Sequence, residues 1–447
     1  MNVTTIVSFV AVFAIVLGTA LVLSRRSDWR IIGFLVVAGL ILSLGKIWLF
    51  QQAPQWLNIN SDSVTYNLNA QALMLHWQGE DVSTDHYNLN GLRALQKTVW
   101  AKDDTLPYSA VFGTSDWLYT GYVAAWYEFV GIGQDRVTFS NAVLAAFFSA
   151  AAFGITLGLG AARKVAVSAA LITCLDPSSG VNAAWLLKDT LVGFFAMAAL
   201  WAAIVYAKDR RGGALVILFF SMGLLGGSRY VAFVALAVAL AFWLVRALLR
   251  SEHKAALAVT LTTVASVFLH TWLGLLPQAP VSPMRAPSVA MSSLVMPARG
   301  GVDILQTEHN TSSAEDATLR WKESLEENPL LSVTKSVAHT LFAPYPWVAI
   351  YPGLTWKSPS ELYYAGVTLW MIMLPGILVA VVHFARRQEQ PAMIVLVFLA
   401  ALLAAYSVFL GEWSTRQRIF VLPVFFALGA IGWSLLLSHL KTRRSFS

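Results

Sequence analysis

Long apolar runs separated by short basic turns set the rhythm of this chain. Runs near the roughly 20 residues that cross a bilayer as helix recur at 3 to 24, 31 to 50, 137 to 159, 165 to 181, 187 to 207, 255 to 276, 361 to 384, 391 to 410 and 418 to 438. Two shorter runs, 213 to 228 and 230 to 250, read as a hairpin. The pattern predicts an all-α polytopic membrane protein of about 11 transmembrane helices. The first run lacks a basic leader and a small-residue cleavage site, and a second span follows at once, so it is expected to be an uncleaved helix.

Two polar intervals interrupt the spans and predict large extracytoplasmic loops at 51–136 and 277–360. The chain therefore divides into an N-terminal transmembrane module, 1–276, that carries the first loop; a second loop, 277–360, expected to act as a lid; and C-terminal helices over 361–447. The second loop is rich in Pro and Ser at its start, "LPQAPVSPMRAPS", and turns helical around "SAEDATLRWKESLEEN". Within the first, "SDWLYTGYVAAWYEFVG" at 115–131 is short, carries Asp116 and Glu128, and is rich in Trp and Tyr. Such a segment is expected to be an interfacial or re-entrant helix that does not cross the membrane.

Composition agrees with that solvent: 57% of the 447 residues are hydrophobic and 12% charged, and the mean hydropathy is +0.63. Charge sets the orientation, because Lys and Arg collect in short cytoplasmic connections. About half of the 31 basic residues fall in such connections: Arg25, Arg26 and Arg30; Arg163 and Lys164; Lys208, Arg210 and Arg211; Arg246, Arg250 and Lys254; Arg386 and Arg387; and Lys441, Arg443 and Arg444. Few acids accompany them, namely Asp28, Asp209, Glu252 and Glu389. The net charge of +7 thus reflects asymmetry across a membrane and implies no nucleic-acid partner. The N-terminus is expected outside and the C-terminus inside, and the single cysteine, Cys174, excludes an intramolecular disulfide.

Candidate chemistry gathers on the outer side. Asp62 opens "SDSVTYNLNAQAL" at an expected helix start, with Val64, Leu68 and Leu75 on an apolar face and Tyr66 and Asn69 among polar positions. It is either an N-cap for the free amides or a carboxylate poised to take a proton from an acceptor hydroxyl. Asp176, Lys188 and Asp189 lie in "CLDPSSGVNAAWLLKDTLVGFF". Asp176 fits a turn with Pro177, Ser178, Ser179 and Gly180, whereas Lys188 and Asp189 abut an apolar run, where ions are costly unless paired or used. Arg229, Arg416 and Arg418 violate the positive-inside bias. Each is either a snorkelling side chain or a fork that binds phosphate oxygens. His76 and His86 lie in the first loop, and His270, His309, His339 and His383 form no metal-ligand spacing.

These segments resemble the GT-C superfamily of integral-membrane glycosyltransferases, in particular its protein mannosyltransferase and aminoarabinose transferase group. The likeness rests on Asp62 in "SDSVTYNLNAQAL", the aromatic "WLYTGYVAAWYEFVG" through "AARK", and the stretch from Pro177 to Asp189. It continues in "GLLGGSR", where Arg229 stands for the usual Lys, and in "RQRIFVLP". It covers about residues 30 to 250 and, more loosely, the end. The resemblance implies a polyprenyl-phosphate or polyprenyl-diphosphate sugar donor, a lipid, glycan or protein acceptor, and a bacterial inner membrane with the site facing outward. Asp62 would be the catalytic base, Asp189 the second acid, and Tyr66, Lys188, Arg229, Arg416 and Arg418 substrate-binding groups. The chain departs from the family in having Ser61 and Ser63 beside Asp62 rather than a second acid, so a divalent metal stays open without an acidic pair to support it, and no cofactor is assigned. It departs also in its additional N-terminal span.

Two other functions share part of this pattern: a polymerase or ligase of surface polysaccharide such as O-antigen or exopolysaccharide, and a non-enzymatic transporter of lipid-linked sugars, which would line a central cavity with charge. The orientation common to all three is testable by cysteine labelling of intact cells. A cysteine at Ser313 should react with an impermeant reagent from outside; reaction only after the membrane is opened would reverse the topology.

Overall fold

The computed structural model of the chain describes residues 3–51, 63, 66, 67, 70, 71, 74, 117–184, 186–275, 323–342, 359–409 and 418–444. Among them the fold is all helix. Its elements are α1 (Val3–Leu23), α2 (Trp29–Gln51), α3 (Trp117–Val130), α4 (Gln134–Gly158), α5 (Arg163–Leu175), α6 (Pro177–Ala184), α7 (Asp189–Asp209), α8 (Gly212–Ser228), α9 (Tyr230–Leu249), α10 (His253–Leu275), α11 (Pro329–Phe342), α12 (Pro359–Arg387), α13 (Gln390–Ala404) and α14 (Leu422–Arg444). Nine of the described helical stretches are long and apolar enough to cross a membrane, and the chain is an integral membrane protein. In lipid every backbone polar group must be satisfied internally, and a helix does this within one segment.

One apolar run takes a different form from the one its hydropathy predicts, and one keeps the short form expected of it. The run at 165–181 is not one helix: α5 stops at Leu175, Asp176 adopts φ −58° and ψ 120°, and α6 restarts at Pro177. Proline forces this break, since its ring pushes the preceding residue out of the helical region. The run at 213–228 becomes the 17-residue α8, shorter than a full span. Arg229, with φ −158° and ψ 94°, is the extended link that turns α8 into α9.

Helix composition sorts the bundle from inside to outside. α4 and α7 are almost wholly buried, and both are built from Ala, Gly and aromatic residues, as in "AAFFSAAAFG" and "FFAMAALWAA". Small residues let helix backbones approach where lipid supplies no hydrophobic drive for association. α1 and α2 carry branched and aromatic side chains instead, and Ile6, Val7, Ile15, Phe34 and Ile41 remain exposed on them, as suits a lipid-facing surface.

The basic connections converge at one end. Arg25 pairs with Asp209 at 3.1 Å, Arg163 with Asp28, and Arg210 with Glu252. Arg211 donates to the carbonyls of Val22 and Ser24 at the end of α1, and Lys208 to those of Leu157 and Gly158 at the end of α4. Exposed pairs of this kind stabilise little, but they place four connections on the same side, as the parity of the spans requires.

The tightest helix pair is α12 with α14. A Cβ built on Gly432 would overlap the carbonyl oxygen of Gly376, and one on Gly376 would overlap that of Gly429; Trp433 Nε1 donates to the Ile372 carbonyl at 2.9 Å across the same seam. Gly432→Val should therefore force the helices apart and cost about 1–3 kcal/mol or more. Gly18→Ala, which meets nothing within 4 Å, should leave the unfolding temperature in detergent nearly unchanged. Equal behaviour of the two variants would refute the close approach.

Candidate functional site

At the end opposite the basic connections, the chain breaks bring polar side chains inside the bundle. α7 begins at Asp189, whose side chain is fully buried. A carboxylate in the first turn of a helix is favoured by the helix dipole, but burial still demands a counter-charge. Arg229 supplies it from the α8–α9 link, with its Nη2 3.3 Å from Asp189 Oδ1 and a side chain only 13% exposed. Its Nη1 donates to the Tyr406 hydroxyl at 3.0 Å, and its guanidinium lies over the Phe420 ring at 5.3 Å.

Local structure explains why these partners meet. Arg229 adopts extended backbone where two helices end, so its side chain turns inward beside the start of α7. Tyr406 sits in a π-helical turn, Ala405–Phe409, that follows α13, and such turns re-aim side chains away from the regular helical register. Gly193, one turn into α7, lets the backbone of Phe420 approach: a Cβ there would lie 3.3 Å from the Phe420 Cα.

Arg418 precedes that phenylalanine and is 3% exposed, its guanidinium 4.9 Å from the centre of the Trp370 ring on α12. Cation–π contact of this sort strengthens when the cation is desolvated. Arg418 is buried and Arg229 nearly so, and both guanidinium groups lie against neighbouring helices. Lys188, next to Asp189, is also buried.

Asp176 takes the capping role. Its Oδ2 accepts from the Ser178 hydroxyl at 2.6 Å and the Ser179 amide at 3.0 Å, so it is the N-cap of α6 with proline at the first helical position. Beside it Lys46, on α2, donates Nζ to the carbonyls of Cys174 at 2.8 Å and Asp176 at 2.6 Å. Gly180 leaves the room: a Cβ there would collide with the Lys46 side chain. Sequence reading passed over Lys46, because a lysine near the end of a span looks like an interfacial anchor. Its depth beneath the break at Pro177 is a tertiary fact.

The first loop reaches this centre. Ser63, Tyr66, Asn67, Ala70 and Met74 are helical and buried, and their spacing is one helix face. Ser63 Oγ accepts the Leu186 amide at 3.3 Å, three residues before Asp189. Asn67 Oδ1 accepts from the Tyr127 hydroxyl at 2.5 Å, and the Tyr66 ring stands edge-on to Tyr119 at 4.9 Å. The 14-residue α3 is too short to span a bilayer at 1.5 Å per residue. Burial pushes Tyr122 up to about 12 and raises Tyr119 and Tyr127 too, so these phenols stay protonated. Asp189 adds to the cost of ionising Tyr119.

Of the residues expected at the site, the structure brings Asp189 and Arg229 together, sets Lys188 beside them, and joins Arg418 through the segment that carries Phe420. Tyr66 lies on the Tyr119 side of the same end. Asp62 and Arg416 lie outside the described residues, as do Val64, Leu68, Leu75, His76, His86, His309 and Ser313. Tyr406, Phe420 and Trp370 were not anticipated; all three look like ordinary apolar-helix residues in sequence. Among the described residues no three of His, Cys, Asp and Glu gather as a metal site.

No protein-family model matches this chain, and a search of curated proteins gives no match.

The pairing has an energetic consequence. Removing one partner from a buried ion pair leaves an uncompensated charge, so Arg229→Gln should destabilise by about 3–5 kcal/mol. The double variant Arg229→Gln with Asp189→Asn should recover much of that loss. Thermal unfolding in detergent reads both, and simple additivity of the two single variants would show that the charges are not coupled.

Proposed function

We propose that this protein is a membrane glycosyltransferase that moves a sugar from a polyprenyl-phosphate or polyprenyl-diphosphate donor to a lipid, glycan or protein acceptor at the extracytoplasmic face. The observation that carries the reading is the Asp189–Arg229–Tyr406 cluster, with buried Arg418 nearby, at the end of the bundle remote from the basic connections. Arginines held in place before reaction stabilise charge that develops on a leaving phosphate, and they do so most effectively where water is scarce. Asp189 and Tyr406 fix Arg229, and the Trp370 ring flanks Arg418, so neither cation must reorganise as the bond breaks.

The chemistry needs a base as well. In this reading Asp62 takes the proton of the acceptor hydroxyl as it attacks the anomeric carbon, and the polyprenyl phosphate departs in one inverting displacement. The helix that carries Ser63 and Tyr66 packs against Leu186 and Tyr119, which supports a first loop that works at this centre. Tyr66 and Lys188 would then contact substrate, and Asp189 holds the arginine. The bundle beneath favours an enzyme over a transporter: Phe147 packs on Phe194 at 4.9 Å and on Trp201 at 6.0 Å, so apolar rings rather than charges fill the interior below Asp189.

Two variants divide the roles. Asp62→Asn should lower release of polyprenyl phosphate from a lipid-linked sugar by about 10²–10⁴-fold while binding of polyprenyl phosphate itself stays unchanged. Arg418→Ala should weaken that binding, and Arg418→Lys should restore it only in part. Wild-type turnover in Asp62→Asn would reject this base, and unchanged binding in Arg418→Ala would reject the phosphate site.

A further inference from the structure

At the opposite, basic end a cavity of about 320 Å³ opens between the ends of α1, α2, α4, α5, α7 and α8, within the ~300–1,000 Å³ range of small-ligand sites. Arg25, Arg163, Lys208 and Arg211 line it, against the two carboxylates of Asp28 and Asp209. Its floor is apolar, formed by Phe153 and Trp201. We infer that this cavity binds a phosphate group, carried by an anionic lipid headgroup or by a soluble phosphate, at the face where the basic connections gather.

The cations have capacity to spare. Arg25 and Arg163 each commit one terminal nitrogen to a carboxylate and make no other hydrogen bond among the described residues. Both are more than half exposed at the rim. Arg211 spends its two terminal nitrogens on carbonyls at the end of α1; its Nε is buried without a hydrogen bond, 3.9 Å from Asp209 Oδ2. Four cations facing two carboxylates leave a net positive lining, and planar guanidinium groups suit phosphate oxygens.

Two helix starts strengthen the field. α5 begins after Ala162 and α8 after Arg211, and neither has a side-chain cap, so their first amides retain positive dipole at this end. The neighbouring α1 and α2 expose Val22 and Phe34 among other apolar side chains. An acyl chain attached to the bound headgroup could lie along that surface, which fits basic pockets between helices that take anionic lipid heads.

Ser27 is exposed on the cavity lining, so Ser27→Glu adds a carboxylate without disturbing packing. Arg25→Gln removes a rim cation and leaves Asp209 beside Arg211. The full chain, purified in neutral detergent, is titrated with phosphatidylglycerol, with phosphatidylcholine as the uncharged control, and separately with inorganic phosphate, while unfolding temperature is followed. A saturable rise with phosphatidylglycerol is expected, with the half-saturating concentration raised about fivefold in each variant. A rise with inorganic phosphate, reversed in the same variants, would make the ligand a soluble phosphate; a rise with the lipid alone would make it a headgroup. No saturable rise with either probe overturns the inference. So does a half-saturating concentration that is the same in wild type, Ser27→Glu and Arg25→Gln.

Discussion

The scarcity of water inside the bundle governs where the charges of the described residues stand. An ion taken from water into a low-dielectric interior is stabilised only by a partner close at hand, and the chain obeys that constraint at both ends. At the basic end the charges sit at helix termini, half-exposed, and spend their hydrogen bonds on neighbouring carboxylates and on carbonyls at the ends of α1 and α4. At the other end they lie inside the protein, and each is held: Asp189 by Arg229, Arg229 also by Tyr406, and Arg418 against Trp370. Between the two ends the helices present Ala, Gly and rings to one another.

Breaks in the helices make the inner charges possible. A continuous helix satisfies its own backbone and offers no reason to turn a charged side chain inward. Pro177 interrupts one run, Arg229 separates α8 from α9, and a π-helical turn follows α13. Each interruption frees polar backbone or redirects a side chain, and the three lie at one end of the bundle. Lys46 shows the same logic from the other direction, since it travels past Gly180 to donate to the carbonyls of Cys174 and Asp176 just before Pro177. Capping by Asp176 and Lys46 thus stabilises the break above which α7 starts.

Rigidity follows from that arrangement and bears on the chemistry proposed for it. A buried, multiply held arginine does not need to reorder when a phosphate leaves, which is the property that electrostatic stabilisation of a leaving group requires. The helix face of Ser63, Tyr66 and Asn67 adds a second support, because its hydrogen bonds reach the segment just before Asp189 and the short helix α3. Tyr127, which stays protonated, keeps its bond to Asn67 as the donor.

The sequence by itself determined the solvent, the helical class, and the grouping of basic residues in short connections between helices. Those properties depend on local composition, and hydropathy over some twenty residues and the placement of Lys and Arg can be read without knowing any contact. It also marked Lys188, Asp189, Arg229 and Arg418 as charges out of place, because an ion beside an apolar run is anomalous wherever the chain folds. The extent of one helix was less legible: Pro177 splits the run at 165–181, since hydropathy sums over a break that backbone geometry imposes. Only the tertiary structure decided the partners. That Arg229 meets Asp189 and Tyr406, that Arg418 meets Trp370, and that Lys46 serves α5 and α6 each joins residues far apart in the chain. No local pattern encodes such contacts, because they follow from which small-residue faces allow helices to pack and from the directions in which the helix breaks turn the side chains.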